Sequence, residues 1–233
     1  MSMPDLSRFA EVVCVDFEFV SKGGERPLPV CCVFHELRSG RRGRVWLAEN
    51  GSNILTPPYP TGPGAVVVAY YAAAELTCHL ALGWPLPINV LDLYSEFRVH
   101  TNCAGAPKPR GLLSALAHYG LASVAPEEKR ATRDRILRGP PFSDAERSAI
   151  LEYCETDVAA LDALLPAMMP QLELDYALLR GRYVTVVAQM EHRGVPIDTE
   201  FVSKLCANWE PIKAALISEI NTDFDVYVGT TFV

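Results

Sequence analysis

Residues 11–20, EVVCVDFEFV, carry apolar side chains on both faces of an extended segment. Alternation places Val13, Val15, Phe17 and Phe19 on one side and Val12, Cys14, Asp16 and Glu18 on the other. A strand that starts apolar on both sides has to be covered on both sides, so it belongs in the middle of a sheet layered between helices. The flanking sequence supplies that sheet. Residues 28–37 and 44–48 read as two strands, and the GRRG turn between them predicts a hairpin. After a Pro/Gly-rich loop, AVVVAY at 65–70 reads as a buried strand and AAAELTCHLAL as a helix. Residues 88–91 read as a short strand leading into a helix near Asp92 to Phe97. Leu112, Leu113 and Leu116 open another helix. A long one starts at Ser143, where Ser143 and Glu146 have capping-box spacing. Strands followed by strand–helix alternation predict an α/β domain with a mixed sheet.

The pattern changes from about Glu173. Tyr176, Leu179, Tyr183, Val187 and Met190 keep helical spacing, and Gly194 and Pro196 stop that helix. Asp198 can cap a second helix along which Phe201, Leu205, Trp209, Ile212 and Leu216 continue the spacing. The expected division is therefore 1–170 for the α/β domain and 171–233 for a helical hairpin. The final DFDVYVGTTFV is strand-like and apolar. It reads as a cut inside a larger domain, or as a small domain that ends on an edge strand or dimerises there.

A formal net charge of −7 argues against a protein that grips nucleic acid by bulk positive charge. It leaves room for an acidic site neutralised by cations. Basic residues are locally dense: Lys108 and Arg110, then Lys129, Arg130, Arg133, Arg135 and Arg138. They can hold phosphates or form a solvated helix face. Seven cysteines without a C-x-x-C pair fit reduced thiols of a cytoplasmic protein better than a disulfide framework or a zinc site. The sequence shows no membrane span, no secretory leader, no phosphate-binding glycine loop and no G-x-S-x-G elbow.

Asp16 and Glu18 emerge together on one face of the first strand. Like charges that close cost energy unless a cation or a proton intervenes. They form a divalent-cation clamp, or are solvated if the strand ends at Asp16. On the long helix, Ile150, Cys154, Val158, Leu161 and Leu165 trace the apolar stripe, with Tyr153 and Asp157 one turn apart beside it. Asp157 either swings to the rim or needs a positive partner, which a metal shared with Asp16 and Glu18 would supply.

The strings VVCVDFEF and YCETDVAAL, with D-x-E on a first strand and Y-x-x-x-D on a late helix, resemble the tyrosine subclass of the DEDD superfamily of 3′→5′ exonucleases, over roughly residues 8–170. The proofreading domains of family A DNA polymerases belong there. The resemblance implies a ribonuclease H-like fold, two Mg²⁺ or Mn²⁺ ions and a single-stranded DNA 3′ end as substrate. It implies that Asp16 bridges the ions, that Glu18 and Asp157 complete the water-activating site, and that Tyr153 orients the water. The family places a further acid in a string like A-H-N-A-x-F-E. Here AYYAAAE aligns with it, assigning Glu75, while Asp92 in INVLDLYSEF is the alternative. Tyr70, Tyr71 and Ala74 depart from the pattern. Phe17 is expected to stack on a terminal base, with Lys108, Arg110, Lys129 and Arg133 on phosphates. RGRYVTVVAQMEHRGVPID resembles the passage from exonuclease into polymerase domain in phage-type family A enzymes, which implies a polymerase domain in cis as partner. A degenerate fold that binds DNA or braces a polymerase, and an RNA-trimming relative, are the alternatives.

Overall fold

The computed structural model describes residues 6–21, 23–48, 54–102, 110–121 and 126–233, with the side chains of 126–130 left aside. Five strands form a mixed sheet in the order β3-β2-β1-β4-β5. They are β1 (Glu11–Val20), β2 (Leu28–Glu36), β3 (Arg42–Trp46), β4 (Ala65–Ala69) and β5 (Val90–Asp92). β1 lies centrally, antiparallel to β2 and parallel to β4. The expected hairpin is β2–β3, with Gly40 at positive φ in its turn.

Two apolar clusters explain why β1 is apolar on both faces. Val12 and Cys14 join Val33, Val68, Ile150, Cys154, Val158 and Leu161. Val13, Val15 and Phe17 join Cys32, Val67, Leu76, Trp84 and Val90. The first cluster is closed by α5 (Asp144–Met168) together with α2 (Leu93–His100) and α3 (Leu112–His118); the second is closed by α1 (Ala73–Leu82). α5 starts on the expected capping box, Ser143 accepting from the Glu146 amide and Glu146 from the Ser143 amide. α4 (Pro126–Arg138) packs on β1 and α5.

α6 (Leu174–Arg193) serves both clusters: Leu174, Ala177 and Leu178 enter one, Ala188 the other. It passes β5 at Gly181, where an added Cβ would collide with the Val90 carbonyl. Beside that crossing, both oxygens of the buried Glu96 carboxylate accept from Arg180, at 2.6 and 2.7 Å. The compact unit accordingly runs to Arg193, past the boundary expected at 170.

The second unit, Gly194–Val233, contains α7 (Thr199–Ala207), α8 (Trp209–Phe224) and a small ladder of β6 (Tyr227–Val228) with β7 (Thr231–Phe232). Asp198 caps α7 as expected. The helix expected to run through 201–216 breaks at Asn208. Pro211 explains it: it has no amide hydrogen for the carbonyl of residue 207, so a new helix has to start just before it. Neither α7 nor α8 has a buried residue. Among the described residues, no helix is long and apolar enough to cross a membrane.

Candidate metal centre

Asp16 and Glu18 lie beyond the point where β1 leaves β4. The parallel ladder ends at Cys14 opposite Val68, whereas the antiparallel ladder continues through Asp16 and Glu18 to a register shift before Phe19. One side of the acidic end of β1 is thus open. The β4–α1 turn and the first turn of α1 fill that opening, and Glu75 is in that turn. From the other direction α5 packs against β1, bringing Tyr153, Cys154 and Asp157. The Cys154 thiol donates to Asp16 Oδ2 at 3.2 Å and to the Asp16 carbonyl at 3.3 Å. Ligand atoms of Asp16, Glu18 and Cys154 lie within 4.8 Å of one another.

The electrostatics of the group are those of crowded carboxylates. Burial raises the proton affinity of Glu18 well above the carboxylate norm, and Asp16, Cys31, Asp157 and Glu75 raise it further. Burial does the same to Glu75, aided by Asp16 and opposed by a backbone amide. Glu75 is 4% exposed, and its Oε2 has no hydrogen-bond partner among the described residues. A buried carboxyl oxygen without a donor among the described residues, beside further carboxyl groups, is an arrangement that a divalent cation satisfies by displacing the proton. The oxygen-rich donor set fits Mg²⁺ or Mn²⁺. Burial keeps the Cys154 thiol protonated, so it serves Asp16 as a donor.

Asp92 ends β5 and caps α2. Its Oδ1 accepts from the amides of Tyr71, Ala72 and Tyr94 at 2.9, 3.1 and 3.2 Å, and its Oδ2 from the Ser95 hydroxyl at 2.6 Å. The carboxylate is filled by these donors. It fixes the turn that presents Glu75, whereas Glu75 itself lies among the acids.

Burial and then Glu18, Asp157 and Asp16 push the Tyr153 phenol up, partly offset by Arg133. Tyr153 therefore keeps its proton. A cleft of about 500 Å³ opens over the site, and its lining includes Asp16, Glu75, Tyr71, Tyr94, Arg110 and Arg133. Arg110 Nε is buried and without a hydrogen bond among the described residues. Phe17, expected to stack on a base, also lines this cleft but offers little of its ring to it. Its ring is 3% exposed and packs edge-on against His79 and Trp84, because its face of β1 turns into the second core. Lys108 and the Lys129 side chain lie outside the described residues. His79, one turn after Glu75, is a core residue: burial lowers its pKa to about 4, its Nδ1 donates to the Pro85 carbonyl, and its Nε2 accepts from Tyr59.

Tyr94 has no sequence pattern that marks it, and Tyr71 stands out in the sequence only as a departure from the family string. The signal for Tyr71 is the YY pair of AYYAAAE, an aromatic doublet where a chain turns from strand into helix.

No protein-family model matches the sequence, and no curated protein does. Solved structures do match. The apo form of a nuclease aligns at 16% identity and a TM-score of 0.59, over 82% of this chain and 91% of that one. Brucella melitensis NrnC, solved with bound Mg²⁺, aligns at 15% and 0.57, over 82% and 90%. Escherichia coli RNase D, an exoribonuclease involved in structured RNA processing, aligns at 16% and 0.52, over 77% of this chain but 45% of its own. At these identities the likeness is one of fold. The chain has the ribonuclease H-like fold of these nucleases: a mixed sheet between helices, with further helices at its C-terminal end.

Proposed function

We propose that this chain is a metal-dependent 3′→5′ exonuclease of the DEDD superfamily, tyrosine subclass, acting on single-stranded DNA 3′ ends. The observation that carries this is the gathering of Asp16, Glu18, Glu75 and Asp157 from β1, α1 and α5, with the Glu75 Oε2 unpartnered among the described residues and the Tyr153 phenol beside them. Asp16, Glu18 and Asp157 would hold a pair of Mg²⁺ or Mn²⁺ ions, with Glu75 completing the set. When bound, such ions supply an activated water and neutralise charge on the leaving oxygen. Tyr153 holds its proton and so positions the attacking water by a hydrogen bond rather than abstracting from it. Arg133 and Arg110 counter phosphate charge in the cleft.

A proofreading role beside a polymerase domain is supported by the resemblance of RGRYVTVVAQMEHRGVPID. It is also supported by the exposed Phe201, Trp209 and Leu216 of the second unit, which suit a segment that packs on a further domain. The test uses 5′-labelled single-stranded DNA and RNA with Mg²⁺, Mn²⁺ or chelator. A ladder shortened from the 3′ end of DNA, lost with chelator and in Asp16→Asn, is the expected result. Shortening of RNA alone makes the chain an RNA-trimming enzyme. No shortening of either under any divalent cation sinks the proposal and leaves a binding or bracing role.

A further inference from the structure

Tyr71 has φ of 70°, a left-handed backbone that glycine adopts freely and a tyrosine only at a cost of about 1 kcal/mol or more. Tyr71 is not a core residue, since it is 51% exposed. Yet the conformation is held firmly: Asp92 accepts from the Tyr71 amide and from the next one, and Ala74 donates back to the Tyr71 carbonyl. Tyr71 lines the same cleft as Asp16 and Glu75. The Tyr94 ring meets it edge-on at 5.2 Å and 85°, steadying its position in the cleft. Strain retained at an exposed aromatic, beside the acids, marks a side chain kept for contact with a ligand.

The geometry points to Tyr71 as the stacking platform for the terminal base of a single-stranded 3′ end, a substrate-positioning residue braced by Asp92. This rests on the exonuclease reading. A neutral aromatic face suits that place: Arg110, Arg133 and bound cations answer the phosphate charge, and the base is the uncharged part of a nucleotide. Stacking accepts every base, so the platform confers preference for an unpaired end, not for sequence.

The test is made on the whole chain with oligonucleotides ending in 2-aminopurine, whose fluorescence falls on stacking, and with a phosphorothioate at the last linkage to slow hydrolysis. Tyr71→Phe keeps the quench and the KM. Tyr71→Gly loses the quench and raises KM for single-stranded ends about tenfold, the worth of one stacked base. Its melting temperature stays near wild type, because relief of strain offsets the freedom of glycine. On a 3′-terminal abasic nucleotide the two proteins perform alike. If Tyr71→Gly keeps wild-type quench and KM, or loses as much on the abasic end, the assignment is overturned while the exonuclease reading stands. If wild type shortens no oligonucleotide, both fall.

Discussion

Glu75 and Asp92 show how two carboxylates near one site are told apart by their donors. Among the described residues Glu75 has a buried oxygen without one, so an amide there removes a carboxyl from a crowded acidic group; Asp92 accepts four bonds, so removing it strands four donors. In chelator, Glu75→Gln should melt no lower than wild type and lose turnover by about 10²–10³ once metal is added. Asp92→Ala should melt lower, by about 1–3 kcal/mol of stability. Melting and rate measured on the two variants check this; a loss of stability in Glu75→Gln would move that residue out of the acidic group. Glu36 behaves differently again. Burial would raise its pKa, but the Ser39 hydroxyl and amide with the Val12 and Arg38 amides outweigh this and hold it at about 2. A folded pKa below the unfolded one contributes stability that is complete above about 4.5 and lost as pH falls towards 2. Glu36→Gln should cost about 2–3 kcal/mol at neutral pH and nearly nothing near pH 2, as read from urea midpoints across that range.

At the level of elements, β1 and α5 were legible because each carries a strong period and an acid that breaks it. The capping box, the hairpin and the Ile150-to-Leu165 stripe follow from local chemistry, which is why they read correctly. What was not legible depends on packing between distant segments. Nothing in LLRGRYV says that Gly181 crosses a strand, because the reason is the Val90 carbonyl far away in sequence. Phe17 looked available because alternation tells which face a side chain takes, not whether that face is covered. The left-handed Tyr71 is invisible for the same reason: Asp92, from another strand, imposes it. Gly181→Ala should therefore lift α6 from β5 and destabilise the first unit by about 1–3 kcal/mol, with faster hydrogen exchange in α6 and β5. An unchanged melt would mean that α6 is not seated as described.

For the whole molecule, the division after Arg193 makes α6 part of the first unit. A chain of residues 1–193 should melt as the full chain does and keep any exonuclease activity. Residues 1–170, deprived of Leu174, Ala177, Leu178 and the Arg180–Glu96 pair, should fail to give a cooperative transition in calorimetry. Equal behaviour of the two truncations would place α6 with the following helices instead. The site itself is divided between the first strand and a late helix, with Asp16 and Glu18 made early and Tyr153 and Asp157 near the end of the unit. Chain order then has a consequence for biosynthesis. While the polypeptide is still emerging from the ribosome, it carries half of the candidate metal centre, and α5 can dock only after its last turns have cleared the exit tunnel. Under the proposed function, such a site cannot cut the ribosomal or messenger RNA beside the nascent chain until α5 has docked.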